Sequence, residues 1–347
     1  MQQGYFHRAA EGGTRFWVNN PAGSDLGPAI AAGAFGATTN PTYPGFLLAR
    51  EPEFIGPLLD QALRETSDDE AAAERVYQMV ALRNRDAFLP LYRASGGAAG
   101  FAIIQGDPRK DSDVEHIVAE ALRHHALGES IMVKLPANVA GAAALERLVP
   151  QDVPICVTEV MGVPQAVYIW EAYRRASRAS GRRPPFVVAF IAAPLDRYLA
   201  AYAQRENVAI APEVLAQASL AVAREGYRLF KERAYDGIIL VGGATAPAYF
   251  TELVGGEMHV TINWAEINAL LAADPPLAPR LFAPTPPTIL DELSEKLPDF
   301  RRSYYEDALA PEEYPDYGPL NFFRGGFVQA YTQFLAEVAK RRAGART

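Results

Sequence analysis

Residues 130–136 read Ser-Ile-Met-Val-Lys-Leu-Pro, and this stretch decides how the chain folds. The apolar run lies between Gly128 and Pro136, and a short apolar run bounded in this way is typical of a buried strand. Lys134 lies near its end, where an ammonium group costs several kcal/mol unless it is paired or neutralised. Lys134 is therefore the first candidate for chemistry.

Lysine is rare in this chain, and arginine supplies most of the basic side chains. The lysines are Lys110, Lys134, Lys231, Lys296 and Lys340. Arginine keeps its proton in proteins, whereas a lysine that is stripped of water loses its proton readily. A neutral amine can attack a carbonyl and form a Schiff base. The alternative is a strand-end lysine whose methylene stem reaches out to solvent.

Composition limits the classes of function. The chain has 347 residues and is 49% hydrophobic, which is enough for a large core in one or two domains. We find no run of about 18 apolar residues and no apolar signal segment at the start, and we expect a cytoplasmic protein without a membrane partner. The net charge of −8 argues against a nucleic-acid partner.

Cysteine and histidine usage argues against a metal centre. Cys156 is the only cysteine, which excludes an intrachain disulfide and a multi-cysteine metal site. The five histidines are scattered and show no ligand spacing among themselves. We therefore expect no metal and no cofactor.

Apolar strand-like runs alternate with longer amphipathic stretches along the chain. Eight parallel strands with crossover helices specify a (β/α)8 TIM barrel, whose active site lies at the carboxyl ends of the strands. The predicted strands are Arg15–Asn19, Ala34–Thr39, Gly100–Gln105, Ile131–Leu135, Val153–Thr158, Phe186–Ala192, Gly237–Val241 and Met258–Ile262. Lys134 lies at the end of the fourth strand.

Helical patterns fill most of the connections. Between strands they cover Asp113–Leu127, Ala140–Leu148, Pro164–Ala179, Pro212–Arg233 and Pro247–Val254. The connection from Tyr43 to Ala94 is long, and its two patterns, Phe54–Glu65 and Ala71–Asp86, are expected to cover one end of the barrel. The barrel is expected to occupy residues 1–275.

Residues 276–347 form a C-terminal extension with amphipathic patterns at Thr288–Leu297 and Gly326–Ala339. We expect this extension to pack on the barrel within a single structural domain, because it is too aromatic for a disordered segment. Its aromatic side chains include Phe300, Tyr304, Tyr305, Tyr314, Tyr317, Phe322 and Phe323.

Two strand ends resemble a known family. Residues 33–41, Gly-Ala-Phe-Gly-Ala-Thr-Thr-Asn-Pro, resemble the second-strand signature of transaldolases, and residues 131–137 resemble their Schiff-base lysine strand. With weaker similarity the resemblance covers most of the chain, and it points to a divergent, longer bacterial member with a C-terminal extension. It implies a class I aldolase barrel in which Lys134 forms a Schiff base with a small sugar or carbonyl substrate.

The resemblance also implies roles for matching residues. Asn40 matches an asparagine that holds a substrate hydroxyl, with Thr39 beside it, and Thr158 matches a residue that orients the catalytic water. Thr38 and Thr39 also suit a strand exit followed by a helix cap. Cys156 stands where the family often has asparagine, and we interpret it as a packing residue.

Two family carboxylates are replaced by amides. Asn19, or else Asn20, stands where the family carries an aspartate, and Gln105 stands where it carries a glutamate. A positioned acid or base contributes about 10²- to 10⁴-fold to the rate, so these changes require a substitute. Asp107 and Glu159 are the candidates, and each also fits a solvated loop carboxylate or a helix cap.

Phosphate recognition is altered as well. The family holds a sugar phosphate with two arginines and a serine, and Ala193, Ala244 and Ala246 stand at the matching positions. Methyl groups offer no hydrogen bond to a phosphate. Gly242-Gly243 could still present backbone N–H groups to an anion, and Arg197 is one helical turn beyond Ala193.

Three hypotheses follow from the sequence. The first is a transaldolase-like Schiff-base enzyme with an altered substrate and altered acid and base groups. The second is a homologue that has lost turnover and binds a metabolite or a protein partner. The third is an ordinary transaldolase in which Asp25 or Asp107 reaches the lysine amine. The oligomeric state stays open, a homo-oligomer included.

Overall fold

Eight parallel strands close into a barrel in the computed structural model, which describes residues 4–344. The strands are β1 (Arg15–Asn19), β2 (Ala37–Thr38), β3 (Ala102–Gln105), β4 (Ile131–Pro136), β5 (Ile155–Val160), β6 (Phe186–Ile191), β7 (Ile238–Ala244) and β8 (Met258–Asn263). Each strand pairs with the next along the chain, and β8 pairs with β1. The predicted (β/α)8 barrel is confirmed.

Helices connect the strands and surround the barrel. In chain order they are α1 (Tyr5–Glu11), α2 (Gly23–Ala31), α3 (Tyr43–Arg50), α4 (Pro52–Glu65), α5 (Asp69–Ala94), α6 (Val114–His125), α7 (Val139–Leu148), α8 (Val163–Ser180), α9 (Ala193–Arg205), α10 (Pro212–Leu215), α11 (Ala218–Glu232), α12 (Ala248–Thr251), α13 (Trp264–Ala273), α14 (Pro287–Lys296), α15 (Pro298–Tyr304) and α16 (Gly318–Gly344). The pattern at Pro212–Arg233 is divided between α10 and α11. Six helices were not predicted from the sequence, namely α1, α2, α3, α9, α13 and α15.

The second strand is shorter than predicted. The sequence pattern gave Ala34–Thr39, but the ladder contains Ala37 and Thr38 alone. The backbone of Phe35 and Gly36 is nevertheless hydrogen-bonded on both sides, because the Phe35 amide donates to the Phe16 carbonyl oxygen at 2.8 Å and the Phe35 carbonyl oxygen accepts from the Gly100 amide at 2.8 Å. Glycine is required at position 36, where a Cβ would lie 2.5 Å from the ring of Trp17 and 2.6 Å from the carbonyl oxygen of Phe101.

Side chains inside the barrel form a dry layer below its mouth. The layer consists of Trp17, Phe101, Ile103, Met132, Cys156, Val187, Ala189 and Leu240, all buried. Residues two apart in a strand share a face, so Lys134 follows Met132 on the inner face of β4. Strand register places Gln105 and Cys156 on either side of Lys134. Lys134 thus lies on top of the apolar layer, at the carboxyl end of the barrel.

The turn after β4 holds that end in place. Asn138 caps α7 by accepting a hydrogen bond from the Gly141 amide at 2.7 Å. A Cβ at Gly141 would lie 1.9 Å from the Pro136 carbonyl oxygen, so the helix begins directly against the strand. This contact fixes the height of Lys134 at the mouth.

Both helical patterns of the long β2–β3 connection were expected to cover one end of the barrel. This expectation is wrong for α5. Val76, Tyr77 and Val80 of α5 pack with Ala102 and Ile104 of β3. These β3 side chains point outward from the barrel and need an apolar cover. The helix therefore lies along the outer wall as a crossover helix.

The C-terminal extension contacts the barrel at several points. Leu293, Phe300 and Tyr317 are fully buried in the main hydrophobic cluster, together with side chains of the barrel wall. The last helix, α16, contacts α9, the end of β5, the turn Pro108–Lys110 and α5. It therefore crosses the carboxyl face of the barrel beside the end of β5. In the part of the chain that is described, no helix has the length and apolar character needed to span a membrane.

Candidate active site

Lys134 presents its amine at the mouth of the barrel. The side chain is half-buried, and Nζ donates a hydrogen bond to the Thr39 carbonyl oxygen at 3.2 Å. Burial lowers the pKa of Lys134, and the nearby Cys156 and Glu159 offset this only in part. Loss of solvent disfavours the ammonium form. The site therefore favours the neutral amine that nucleophilic attack requires.

Glu159 reaches the same site through an irregularity in β5. The register between β5 and β6 shifts between Val157 and Val160, and Glu159 has a φ of +68°. A non-glycine residue with this φ is uncommon and costs backbone energy. Gln105 Nε2 donates a hydrogen bond to Glu159 Oε1 at 3.1 Å, which ties this carboxylate to the end of β3. The bulge thus brings a carboxyl group to the barrel mouth.

The environment of Glu159 makes its carboxyl group easy to protonate. Burial and the nearby Asp111 raise its pKa to about 7, although Lys134, Arg324 and the hydrogen bond from Gln105 act in the opposite direction. The side chain is only 1% exposed. A carboxyl group with a pKa near neutrality can both accept and donate a proton at physiological pH.

These groups border one small cavity. Gln105, Asp107, Asp111, Lys134 and Glu159 contribute to its wall, and its volume is about 30 Å³. A cavity of this size has room for two or three water molecules, given about 10–15 Å³ for each. Among the described residues, Gln105 Oε1 and Glu159 Oε2 are buried without a hydrogen-bond partner. Both atoms can accept a hydrogen bond from water or from a substrate hydroxyl.

The other carboxylates named from the sequence have different partners. Asp107 accepts hydrogen bonds from the Arg109 amide at 2.9 Å and from the Arg109 guanidinium at 2.6 Å. Asp25 accepts from the Ala22 amide at 2.9 Å at the start of α2. Both carboxylates therefore serve as local caps, and the hypothesis of an ordinary transaldolase gains no support from them.

Two predicted substrate-binding residues on β2 and its exit also have local partners. The Thr39 hydroxyl donates to the Ile103 carbonyl oxygen at 2.7 Å and lies 2.8 Å from the Tyr77 hydroxyl. Asn40 Oδ1 accepts from the amide and hydroxyl of Thr42 at 3.0 and 2.6 Å. Thr39 therefore contributes its carbonyl oxygen to Lys134, and Asn40 stabilises the turn after β2.

Thr158 and Cys156 are both buried on β5. Thr158 Oγ1 has no hydrogen-bond partner among the described residues, so it can accept or donate to a bound water. Burial raises the pKa of the Cys156 thiol to about 12 despite the opposing effect of Lys134. The thiol is therefore protonated, as suits a packing residue.

A second polar group spans β1, β2 and β8. Asn19 Nδ2 donates to Asn263 Oδ1 at 2.9 Å, and the Thr38 hydroxyl donates to Asn19 Oδ1 at 3.1 Å. The hydroxyls of Thr38 and Thr261 are 2.6 Å apart. Asn20 instead donates to the Thr42 hydroxyl at 3.3 Å in the loop beyond the strand. Asn19 is thus the residue of this pair that belongs to the polar group.

Thr261 and Asn263 were not predicted from the sequence as site residues. They occupy the carboxyl end of β8, which the pattern had ended at Ile262. The rule that polar residues at strand ends form barrel sites would have identified them. We call Asn19, Thr38, Thr261 and Asn263 the neutral polar group.

The positions that the sequence resemblance assigned to phosphate binding hold methyl groups. Ala193 and Ala244 are buried at the ends of β6 and β7. Gly243 has a φ of +66° within the irregular end of β7, and Arg197 is exposed on α9. The side chains of Ala193 and Ala244 offer an anion no hydrogen-bond donor.

Comparison with known proteins supports the resemblance of the strand motifs. A sequence model of the family described as Transaldolase/Fructose-6-phosphate aldolase matches residues 29–306. Transaldolases from Thermobifida fusca and Thiobacillus denitrificans are 28% and 29% identical to the chain over 210 and 216 residues. These matches cover 57% and 58% of this chain and 55% and 58% of the two relatives. A transaldolase from Neisseria gonorrhoeae is 23% identical over 281 residues, or 76% of this chain and 74% of its own length.

The chain spans little more than half the length of the first two relatives. The family match is broader, because it includes both the β2 motif at residues 33–41 and the lysine strand at residues 131–137. It also includes β2 to β8, whose ends carry Lys134 and Glu159. With a closed (β/α)8 barrel and a lysine at the mouth of its fourth strand, this chain belongs to the transaldolase/fructose-6-phosphate aldolase family.

Proposed function

We propose that this protein is a Schiff-base enzyme that makes or breaks an aldol bond in a small polyhydroxylated carbonyl compound. The observation that carries the proposal is the pairing of Lys134 with Glu159 around one cavity. Burial favours the neutral amine of Lys134 and a readily protonated carboxyl group on Glu159. Nucleophile and proton carrier are the two parts that this chemistry requires.

The first half of the reaction forms the Schiff base. Lys134 Nζ adds to the substrate carbonyl carbon, and the oxygen takes up a proton to give a carbinolamine. A second proton transfer releases this oxygen as water and leaves an iminium ion. We infer that Glu159, which lines the same cavity as Lys134, donates and recovers the protons that these steps move.

The second half breaks a carbon–carbon bond. The hydroxyl group β to the iminium carbon loses its proton to a base, the C–C bond breaks, and its electron pair moves to the nitrogen. The products are an aldehyde and an enamine on Lys134. The enamine then adds to a second aldehyde, as in a transferase, or takes a proton, as in a lyase.

Gln105 and Thr158 support these proton transfers. Gln105 Nε2 donates a hydrogen bond to Glu159 Oε1 at 3.1 Å. Glu159 Oε2 has no hydrogen-bond partner among the described residues. The Gln105 amide cannot accept a proton as the family glutamate does. It can instead orient the carboxyl group of Glu159, which we propose accepts the proton. The Thr158 hydroxyl is available to orient a water.

The substrate end that carries hydroxyls is expected to meet the neutral polar group. Its amides and hydroxyls can both donate and accept hydrogen bonds, as sugar hydroxyls require. Ala193 and Ala244 replace the family's phosphate ligands, so a terminal phosphate should add little affinity. We therefore infer a substrate in which phosphate is absent or unimportant.

A matched pair of substrates tests the proposal. Purified enzyme is assayed for aldehyde release from fructose and from fructose 6-phosphate, with Lys134→Ala as the blank. We expect multiple turnovers that require Lys134 and a kcat/KM ratio that favours the phosphate ester by less than about tenfold. A strong preference for the phosphate ester would contradict the substrate assignment alone.

The alternative function is a protein that binds a metabolite or partner without turnover. Its motivation is the loss of carboxylates at Asn19 and Gln105. Glu159 weakens that motivation, because it supplies a buried carboxyl group at the same mouth. Absence of turnover across ketoses and acceptor aldehydes, together with saturable binding of one of them, would favour this alternative.

A further inference from the structure

A second group of ionisable side chains meets the same small cavity from the side of α6, where Glu120 and His124 contribute to its wall. Glu74 of α5 and Glu120 and His124 of α6 bring one potential ligand atom each to within 4.8 Å of one another. His116 is close by, with its Nε2 3.5 Å from Glu120 Oε2. We call these four residues the α5–α6 cluster.

His124 gives independent evidence that this cluster binds a ligand. It is 2% exposed, and its Nε2 has no hydrogen-bond partner among the described residues. The Glu74 Oε1 atom is 3.6 Å away, beyond normal hydrogen-bond length. Buried polar atoms in folded proteins are nearly always satisfied, and an unsatisfied one requires an explanation.

The carboxylates of the cluster are held in place by the fold. Both oxygens of Glu120 accept from the Asp107 amide, at 3.0 and 3.1 Å, and the side chain is 6% exposed. Glu74 receives two hydrogen bonds from Arg123, at 2.8 and 2.9 Å. The Arg123 side chain is 47% exposed, so it can swing into solvent and release an oxygen of Glu74.

We propose that Glu74, Glu120 and His124 bind a divalent transition-metal ion and leave a fourth position to water. One imidazole nitrogen and two carboxylate oxygens form a ligand set that suits Zn²⁺. His116, Glu120 and His124 recur every four residues, which places them along one face of α6.

The histidines taken alone show no ligand spacing, and for this reason no metal was predicted from the sequence. The ligand spacing becomes visible when Glu120 is included, and Glu74 is supplied by a different helix. An ion here would join α5 to α6. Through Glu120 and the Asp107 amide it would also stabilise the end of β3, two residues beyond Gln105.

Titration of the full-length protein tests the site. After dialysis against a chelator, Zn²⁺ binding is measured by calorimetry, and the melting temperature is measured with and without Zn²⁺. We expect one ion per chain and a higher melting temperature with Zn²⁺, since binding to the native state stabilises it. Glu120→Gln and His124→Ala should each weaken binding by at least about 100-fold, whereas His125→Ala, a neighbour on another face of α6, should leave it unchanged.

An anomalous diffraction map at the zinc edge from wild-type crystals supplies a readout that needs no variant. We expect one peak at roughly 2.0–2.2 Å from the ligand atoms. Either of two results would overturn the site: no stoichiometric binding by the wild type, or equal binding by folded Glu120→Gln and His124→Ala variants. If a variant fails to fold, the presence or absence of the anomalous peak decides.

Discussion

The two sides of the barrel mouth differ in chemistry. The side formed by β3, β4 and β5 holds Lys134 and Glu159, two ionisable groups whose pKa values are shifted toward neutrality. The side formed by β1, β2 and β8 holds the neutral polar group, in which amides and hydroxyls bind one another. The difference indicates that covalent and proton chemistry belongs to the first side and hydroxyl recognition to the second.

Replacement of Lys134 should have the largest effect. Lys134→Ala removes the nucleophile, and we expect kcat to fall by about 10³-fold or more, as for removal of other covalent nucleophiles. Steady-state aldehyde release measures this. Lys110→Ala is the matched control, because Lys110 is an exposed lysine outside the mouth. If turnover survived in Lys134→Ala, the side of the mouth formed by β3, β4 and β5 would not carry the covalent step.

Glu159→Gln should have the second largest effect. The amide keeps the shape and the hydrogen bond with Gln105 but cannot carry a proton. We expect kcat to fall by about 10²- to 10⁴-fold, while the Schiff base still forms on long incubation, although more slowly than in the wild type. The pH–rate profile of the wild type should show a group that titrates near pH 7, and the variant should lack it. Full activity in Glu159→Gln would move the proton carrier to another residue.

Glu159 should also make the fold less stable as the pH rises. Its pKa is about 7 in the folded protein against an ordinary value of 4.5, so the folded state holds a proton that the unfolded state releases between these pH values. Stability falls as the pH rises through this window, by roughly 3 kcal/mol at about 1.4 kcal/mol per pKa unit. Chemical denaturation at pH 5 and pH 8 should show that Glu159→Gln gains stability relative to wild type at pH 8. If the free energy of unfolding differed between Glu159→Gln and wild type by the same amount at pH 5 and pH 8, Glu159 would not be a buried acid.

Substitutions on the neutral side should affect binding more than turnover. Asn263→Ala and Thr261→Val each remove one hydrogen-bonding group, worth about 1 kcal/mol. We expect KM to rise by roughly five- to tenfold with kcat nearly unchanged. If kcat fell by a larger factor than KM rose, proton chemistry would also belong to the side formed by β1, β2 and β8.

Asp111→Asn should have the smallest effect. The Asp111 carboxylate raises the pKa of Glu159, and Arg324 of α16 lowers it while it forms an ion pair with Asp111. Removal of the Asp111 charge should therefore shift the midpoint of the pH–rate profile to lower pH, with little change in maximal rate. A shift of this midpoint to higher pH would contradict the assignment of the titration to Glu159.

The sequence predicted the barrel and the ionisable lysine because both follow from periodicity and position. Apolar runs with crossover helices define the strands, and Lys134 is the polar exception in one of them. The need for glycine at position 36 was not predictable from side-chain patterns, because it depends on the close approach of Trp17 and Phe101 in the folded barrel.

The role of Glu159 was harder to predict than that of Lys134. The period of two in a strand cannot anticipate a bulge, and the φ of +68° at Glu159 redirects its side chain. The same limit applies to Asp107, which shares a strand end with Gln105 but is held by Arg109. Contacts between distant strands, such as that of Asn19 with Asn263, require the closed barrel.

Peptide mapping after reductive trapping tests the central claim most directly. Wild type and Glu159→Gln are incubated with dihydroxyacetone and borohydride, digested and analysed by mass spectrometry. We predict a reduced adduct on Lys134 in both proteins, with aldol turnover in the wild type alone. An unmodified Lys134 in both, or an adduct on another lysine, would contradict the assignment of Lys134 as the Schiff-base nucleophile.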